Sequence, residues 1–209
     1  MNKGQLIVVS GFAGTGKGTL MKLLIEKYDN YMLSVSATTR KPRNGEINGV
    51  SYFFVTKEHF EQMISNDELL EYAQYVDNYY GTPKSFVEKN MQEGKNVILE
   101  IEIQGALNIK EKFPEAVLIY VLPPSAVELK NRLVNRGTET LEVINRRMMR
   151  AREESEGIDK YDYILVNDDL NECVTALDNI IKSAAYTPDR NKEFISIIQD
   201  ELDDILKGE

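Results

Sequence analysis

A glycine-rich decapeptide near the start of the chain, GFAGTGKGTL at residues 11–20, contains the residue types of a phosphate-binding loop. Such a loop is usually written G-x-x-x-x-G-K-[S/T], and Gly11, Gly16 and Lys17 match it. Glycines let backbone N–H groups curve around phosphates, and the lysine reaches the terminal phosphates. Gly18 stands where a hydroxyl normally helps to hold magnesium. The motif therefore predicts a nucleoside triphosphate site whose metal contact comes from water or another residue.

The sequence around this motif has the order strand, loop, helix. Residues 6–9 are a short β-branched run, and Leu20, Met21 and Leu24 then recur at helical spacing. This context favours a working loop over a chance match. The predicted ATP-binding residues of the loop are Gly11, Phe12, Ala13, Gly14, Thr15, Gly16, Lys17, Gly18 and Thr19.

Three further runs, at residues 97–101, 117–121 and 163–166, are apolar without alternation, and Glu100 is their only charged residue. Parallel strands that are covered on both faces have this character. Helical stretches lie between the runs, and Ser125 with Glu128 forms a capping box at the start of one of them. The alternation predicts an α/β fold with a parallel core sheet.

Two segments interrupt the alternation. Residues 35–85 are rich in Tyr, Thr, Gly and Asn, which indicates an inserted lobe, so the core would comprise 1–34 and 86–209. Residues 132–155 are rich in arginine in an otherwise acidic chain, which indicates a basic flap. Residues 186–209 form a predicted C-terminal helical extension with one apolar face. We expect that face to dock on the body, and the alternative is a partner-binding or dimer helix.

The bulk properties exclude several function classes. A formal net charge of −9 disfavours a general binder of nucleic acid or of anionic membrane. No apolar run approaches the roughly 20 residues of a membrane helix, and the first residues lack a signal-peptide pattern, so we expect a cytoplasmic protein. The single cysteine, Cys173, cannot form an internal disulfide and is interpreted as a packing residue.

Three stretches carry a resemblance to a known family: SVSATTRKPRNGEINGVSYFFV at 34–55, EYAQYVDNYYGTP at 71–83 and LEIEIQGA at 99–106. In their order and spacing they closely resemble the guanylate kinase family, from about residue 5 to about residue 183. The resemblance implies a three-layer P-loop fold with a core, a GMP-binding lobe at 35–85 and a helical lid at about 132–155. It also implies transfer of the terminal phosphoryl group of ATP to GMP, with Mg²⁺ as cofactor, in purine nucleotide metabolism.

The resemblance also implies which residues of the lobe bind GMP. The implied phosphate ligands are Arg40, Arg43, Tyr52 and Tyr80, and the implied base contacts are Ser36, Glu71 and Thr82. Two guanidinium groups and two phenolic hydroxyls suit a dianionic phosphate. A carboxylate can accept from the ring N–H and the exocyclic amine of guanine together, which adenine does not offer.

The remaining implied residues surround the phosphates. Glu100 is expected near Mg²⁺ and its waters, and Glu102 near GMP; both are glutamates where many members have aspartate. Their spacing predicts one face of a strand. Arg136 and Arg147 match the catalytic lid arginines, and Asn167 matches the segment beside adenine. Arg150 and Arg152 are interpreted as ordinary surface charges.

Two alternatives to a GMP kinase stay open. Adenylate kinases resemble this loop with glycine at the position of Gly18, so a kinase for another nucleoside monophosphate is the enzymatic alternative. A non-catalytic binding module that resembles guanylate kinases is the other, although such modules usually lose the phosphate loop, which this chain retains. The sequence does not indicate whether the protein is a monomer or a homodimer.

Overall fold

A fully parallel five-stranded sheet forms the centre of the computed structural model, which describes residues 3–75, 77–137 and 140–207. In spatial order its strands are β2 (Tyr31–Leu33), β7 (Asn96–Glu100), β1 (Leu6–Gly11), β8 (Val117–Leu122) and β9 (Tyr163–Val166). The predicted α/β class and parallel sheet are confirmed. The predicted segments 1–34, 35–85, 132–155 and 186–209 include residues 1–2, 76, 138–139 and 208–209, which lie outside the described residues.

Helices cover both faces of this sheet. Successive residues of β1 point to opposite faces, so Ile7 packs against α1 (Lys17–Lys27) and α7 (Leu170–Ala184). Val8 packs against α3 (Lys84–Gln92) and α4 (Ile103–Lys112) on the other face. Ile7 and Val8 are both fully buried, which explains the continuous apolar runs in the sequence. Cys173 is a buried packing residue in α7, as predicted.

A second, four-stranded sheet lies within residues 35–85. Its order is β4 (Phe53–Phe54), β3 (Ala37–Thr38), β6 (Asn78–Pro83) and β5 (Leu69–Tyr75). β3 and β4 are parallel and the other pairs are antiparallel. Helix α2 (Lys57–Ser65) closes this sheet with Phe60 and Met63, which pack against Ala37 and Leu69.

The basic segment contains the end of one helix and the whole of the next, and both helices pack beside the glycine loop. They are α5 (Ala126–Asn135) and α6 (Leu141–Glu154). Leu133 of α5 and Ile144 of α6 share a buried cluster with Phe12 of the loop. The Ser125 hydroxyl accepts the backbone N–H of Glu128 at 3.0 Å, which is one half of the predicted capping box, while the Glu128 carboxylate accepts from Arg132 Nε at 2.8 Å. The loop and the basic segment are therefore one packed unit.

The C-terminal extension is helical, as α8 (Lys192–Lys207). Docking of its apolar face on the body is contradicted, because no residue of α8 is buried and Phe194 and Ile205 are 63% and 65% exposed. No helix in the described part of the chain is both long enough and apolar enough to cross a membrane.

Candidate active site

The glycine loop joins the carboxyl end of β1 to the start of α1. Gly14 and Gly16 have φ angles of 97° and 87°, a region that side-chain-bearing residues rarely adopt. A Cβ atom on Gly14 would lie 2.9 Å from Leu133 Cδ2, and one on Gly16 would lie 2.7 Å from Asn167 Nδ2. Both positions therefore need glycine for conformation and for space.

Lys17 is the first residue of α1, and its side chain turns back over the loop. Its Nζ donates to the carbonyl oxygens of Gly11 at 2.5 Å and Phe12 at 3.2 Å. Burial lowers the pKa of Lys17, while the nearby carboxylates of Glu100 and Glu154 oppose the decrease. The ammonium group is thus held at the mouth of the loop among acidic side chains.

Gly18 lies in the first turn of α1, and the space beside it is open. A Cβ atom built there would meet no other atom within 4 Å. Thr19, the next hydroxyl along the chain, is exposed. The absence of a side chain at position 18 therefore leaves room beside the loop for water or a hydrated ion.

Asn167, the predicted adenine contact, is buried directly behind the loop. Its Nδ2 donates to the Thr15 carbonyl at 2.8 Å, and its own carbonyl accepts from Arg132 Nη1 at 3.0 Å. Arg132 is in turn fixed by Glu128, which accepts from its Nε at 2.8 Å. Sequence reasoning assigned Arg132 only to the basic segment and missed its link to the loop.

Glu100 and Glu102 do not share one face of β7. The strand ends at Glu100, and Glu102 is the residue before α4, so the prediction that both lie on one face of a strand is wrong. Desolvation raises the pKa of Glu100, and the positive charge of Lys17 opposes that increase. The negative charges of both carboxylates nevertheless oppose the lowering of the Lys17 pKa.

Three of the four predicted phosphate ligands converge in the second sheet. The guanidinium carbon of Arg40 lies 5.3 Å from the centroid of the Tyr52 ring. The Tyr52 and Tyr80 ring centroids are 6.1 Å apart. The fourth, Arg43, is exposed, and the acidic neighbour of this group, Glu46, was not predicted.

The predicted base contacts Glu71 and Thr82 form a buried pair on β5 and β6. Thr82 Oγ1 donates to Glu71 Oε1 at 2.7 Å, and the two residues are 0% and 6% exposed respectively. Burial raises the pKa of Glu71, and the hydrogen bond from Thr82 opposes that increase. Ser36 is half-buried between β2 and β3, and its carbonyl accepts from Phe53 N at 2.9 Å.

Helix α4 approaches Oε2 of Glu71, the carboxylate oxygen that does not accept from Thr82. A Cβ atom on Gly105 would lie 3.2 Å from Glu71 Oε2 and 3.3 Å from Ile101 Cδ1. A side chain at position 105 would therefore crowd the carboxylate. Gly105 belongs to the stretch 99–106 that resembles the family, but the sequence alone does not show that it lies next to Glu71.

The basic helices contribute charge to the same region. Arg136 lies at the C-terminal end of α5, and its charge contributes to the lowered pKa of Lys17. Arg147 is half-buried in α6. Arg150 is not an isolated surface charge, because its Nη2 donates to Glu102 Oε2 at 2.7 Å across a cleft of about 490 Å³. Arg152 pairs with Glu156 on the exposed surface at 2.9 Å, as expected of an ordinary charge.

These features define a class: an α/β protein with a parallel core sheet, a glycine loop after its first strand, and a second small sheet that carries clustered arginine and tyrosine side chains. Comparisons with known proteins agree. A family model described as guanylate kinase matches residues 3–184. A guanylate kinase of Caldanaerobacter subterraneus is 51% identical over 199 residues, covering 95% of this chain and 97% of the relative.

Two further proteins support the same relationship. A guanylate kinase of Oceanobacillus iheyensis is 50% identical over 201 residues, covering 96% of this chain and 98% of the relative. The crystal structure of guanylate kinase from Anaplasma phagocytophilum is similar with a TM-score of 0.71 and 33% identity, covering 90% of each chain. The chain belongs to the guanylate kinase family.

Proposed function

We propose that the protein transfers the γ-phosphoryl group of ATP to GMP, giving ADP and GDP, and that its described residues divide into a core, a GMP-binding lobe and a lid. The observation that carries this proposal is the buried Glu71–Thr82 pair in a lobe that also contains the Arg40, Tyr52 and Tyr80 cluster. One part of the lobe suits a guanine base and the other suits a phosphate. The family relationship supports the same assignment.

The GMP site would bind the guanine base and the phosphate with different groups of residues. Glu71 would accept the ring N–H and the exocyclic amine of guanine, with Thr82 and Ser36 completing the base contacts. A buried acceptor that a wrong base leaves unpaired is strongly disfavoured, so adenine would be rejected. Arg40, Arg43, Tyr52 and Tyr80 would bind the phosphate through charge-assisted hydrogen bonds.

The ATP site would lie at the glycine loop, with the other predicted contact at Asn167. Binding would exchange the two carbonyl partners of Lys17 for phosphate oxygens, because its Nζ already lies at the mouth of the loop. Arg136 and Arg147 would place positive charge around the migrating phosphoryl group. Phosphoryl transfer depends chiefly on such positioning and charge, so lid closure that excludes water forms part of our mechanism.

The residues fit a magnesium ion that arrives with the nucleotide. Among the described residues, no three His, Cys, Asp or Glu side chains are grouped as a metal site. Mg²⁺ usually keeps several waters and binds through one or two carboxylates plus phosphates. Glu100 and the open space beside Gly18 suit that arrangement, with water between carboxylate and ion. When bound, the ion would neutralise charge on the phosphate oxygens.

A substrate panel tests the proposal. Steady-state rates would be compared for GMP, dGMP, AMP, CMP and UMP at fixed ATP and Mg²⁺. We expect GMP to be used with a kcat/KM at least about 10³-fold above that for AMP. Preference for AMP would instead support the enzymatic alternative, and binding of GMP without any turnover would support the non-catalytic alternative. We also expect the activity in the cytoplasm, where both nucleotides are available.

A further inference from the structure

A carboxylate lies inside the proposed phosphate site. Glu46 Oε1 accepts from Arg40 Nη2 at 2.8 Å, and Oε2 accepts from Arg40 Nη1 at 2.9 Å. Glu46 Oε2 also accepts the backbone N–H of Arg43 at 2.7 Å. Glu46 therefore contacts both arginines of the cluster, although a site for a phosphate dianion would be expected to exclude another anion.

This ion pair differs from the ordinary surface pairs of the chain. The side chains of Arg40 and Glu46 are only 15% and 21% exposed. Lys57 and Glu61, on the helix of the same lobe, are 62% and 53% exposed and 3.9 Å apart. The fork geometry with two parallel hydrogen bonds fixes the plane of the guanidinium group, which a single distant contact does not do.

The other contacts of Arg40 limit how a phosphate can approach it. A guanidinium group has five N–H donors. Glu46 occupies the edge formed by Nη1 and Nη2, and Nη1 also donates to the Lys41 carbonyl at 2.8 Å. The Nε N–H and the second N–H of Nη2 are therefore the donors left for an incoming phosphate. The Tyr52 ring also lies beside the group, with its centroid 5.3 Å from the guanidinium carbon.

We propose that Glu46 is a positioning residue for the GMP phosphate: it holds Arg40 by the Nη1–Nη2 edge and the Arg43 backbone by its N–H, so that the phosphate binds along the Nε–Nη2 edge. This inference rests on the proposed function. The arginine is then ordered before GMP arrives, which lowers the entropy cost of binding. The hydrogen bond from Arg40, with that from the Arg43 backbone, lowers the pKa of Glu46 to about 2, so the carboxylate stays ionised.

A positioning role for Glu46 and simple electrostatics predict opposite changes in GMP affinity when the charge of Glu46 is removed. Removing a negative charge beside a phosphate site should strengthen phosphate binding by reducing repulsion. If Glu46 acts by ordering Arg40, removing its charge should weaken binding instead. The two effects can therefore be distinguished by the direction of one measurement.

The test compares GMP with guanosine, which lacks the phosphate. Calorimetric dissociation constants and steady-state constants would be measured for the parent, for Glu46→Gln and for the control Glu61→Gln. We expect Glu46→Gln to weaken GMP binding about five- to tenfold, which lies in the upper half of the range for disordering one long side chain, and to raise the KM for GMP similarly. Guanosine binding, the KM for ATP and kcat should stay within about twofold, and Glu61→Gln should match the parent.

A second variant distinguishes the effect of the charge of Glu46 from the effect of its side-chain length. Glu46→Asp keeps the charge but withdraws it by one methylene, so it should also weaken GMP binding. Full retention in Glu46→Asp, or unchanged or tighter GMP binding in Glu46→Gln, would overturn the positioning role. An equal loss for guanosine would overturn it too, because that result indicates damage to the whole lobe. Failure of the parent itself to bind GMP would instead refute the proposed function.

Discussion

Replacing Glu71 with glutamine tests guanine recognition with almost no change in shape. Thr82 Oγ1 already donates to Oε1, so the second oxygen, next to Gly105, carries much of the remaining acceptor capacity. In Glu71→Gln one oxygen becomes an N–H₂ donor, which would oppose a donor of guanine, and the charge is lost. Hydrogen bonds to charged groups contribute about 1.5–3 kcal/mol each. We therefore expect a loss of about 3 kcal/mol, or roughly 150-fold in kcat/KM for GMP.

A stability measurement on the same variant excludes a merely structural explanation. Burial raises the pKa of Glu71 above the unfolded value of 4.5, so ionisation of this group opposes folding. That cost is absent below the unfolded pKa and complete above the folded pKa. Glu71→Gln should therefore unfold at a higher temperature than the parent at neutral pH, and the difference should shrink as the pH falls towards 4.5.

The assay is a coupled steady-state measurement of ADP formation, with GMP and ATP varied in turn. Glu68→Gln is the matched control, because Glu68 is an exposed glutamate just before the same strand and undergoes the same change of charge. The control should keep parental constants. An equal loss towards GMP and ATP in Glu71→Gln, or a variant that is both less active and less stable at neutral pH, would refute the reasoning.

Three further substitutions address the loop and its surroundings. Lys17→Met should lower kcat by at least about 10³-fold in single-turnover experiments while calorimetry still detects GMP binding, and activity within about tenfold of the parent would contradict a catalytic role for Lys17. Gly18→Ser adds a hydroxyl to open space, so the protein should fold normally and reach half-maximal rate at a lower Mg²⁺ concentration; an unchanged magnesium midpoint would argue against an ion beside Gly18. Gly105→Ala places a methyl group 3.2 Å from Glu71 Oε2, so the KM for GMP should rise while thermal stability holds, and a rise in the KM for ATP alone would count against the contact.

The core of the fold could be predicted because its signals are local. The strands β1, β7, β8 and β9 are continuous apolar runs, and the glycine loop follows the first of them. β2 was missed because three residues, Tyr31–Leu33, are too few to show a period. β5 and β6 were missed because their residues are mostly polar and aromatic and show no alternation of apolar and polar positions. The register of these strands is set by their pairing with each other.

The prediction of a C-terminal helix is confirmed by α8, but the prediction that its apolar face docks on the body of the protein is wrong. Phe194, Ile198, Leu202 and Ile205 recur at helical spacing, and such spacing indicates amphipathicity without naming what covers it. The predicted strand end at residue 101 is one residue too late, because the apolar Ile101 follows Glu100 in the sequence while the chain already turns towards α4.

The site could be predicted only as far as residue types and family spacing allow. Glu71 contacts Thr82, and Arg40 lies close to Tyr52, as the family spacing implies. The roles of these residues in binding GMP stay predictions. Contacts between distant segments, such as Arg150 with Glu102, were missed because nothing in the local sequence connects them. Glu46 lies six residues after Arg40, yet it resembles any glutamate of a glycine-containing turn until the fork geometry is seen.

If one site brings ATP and GMP together, with the base of the acceptor selected by the lobe, the phosphoryl group passes directly from one nucleotide to the other. Time-resolved ³¹P NMR of the purified protein with ATP, GMP and Mg²⁺ follows both nucleotides at once. We expect GDP and ADP to appear in equal amounts, GMP to be consumed at the same rate, and a chelator to stop the reaction. Hydrolysis of ATP to ADP without formation of GDP, or no change in any phosphorus signal, would show that this transfer does not occur.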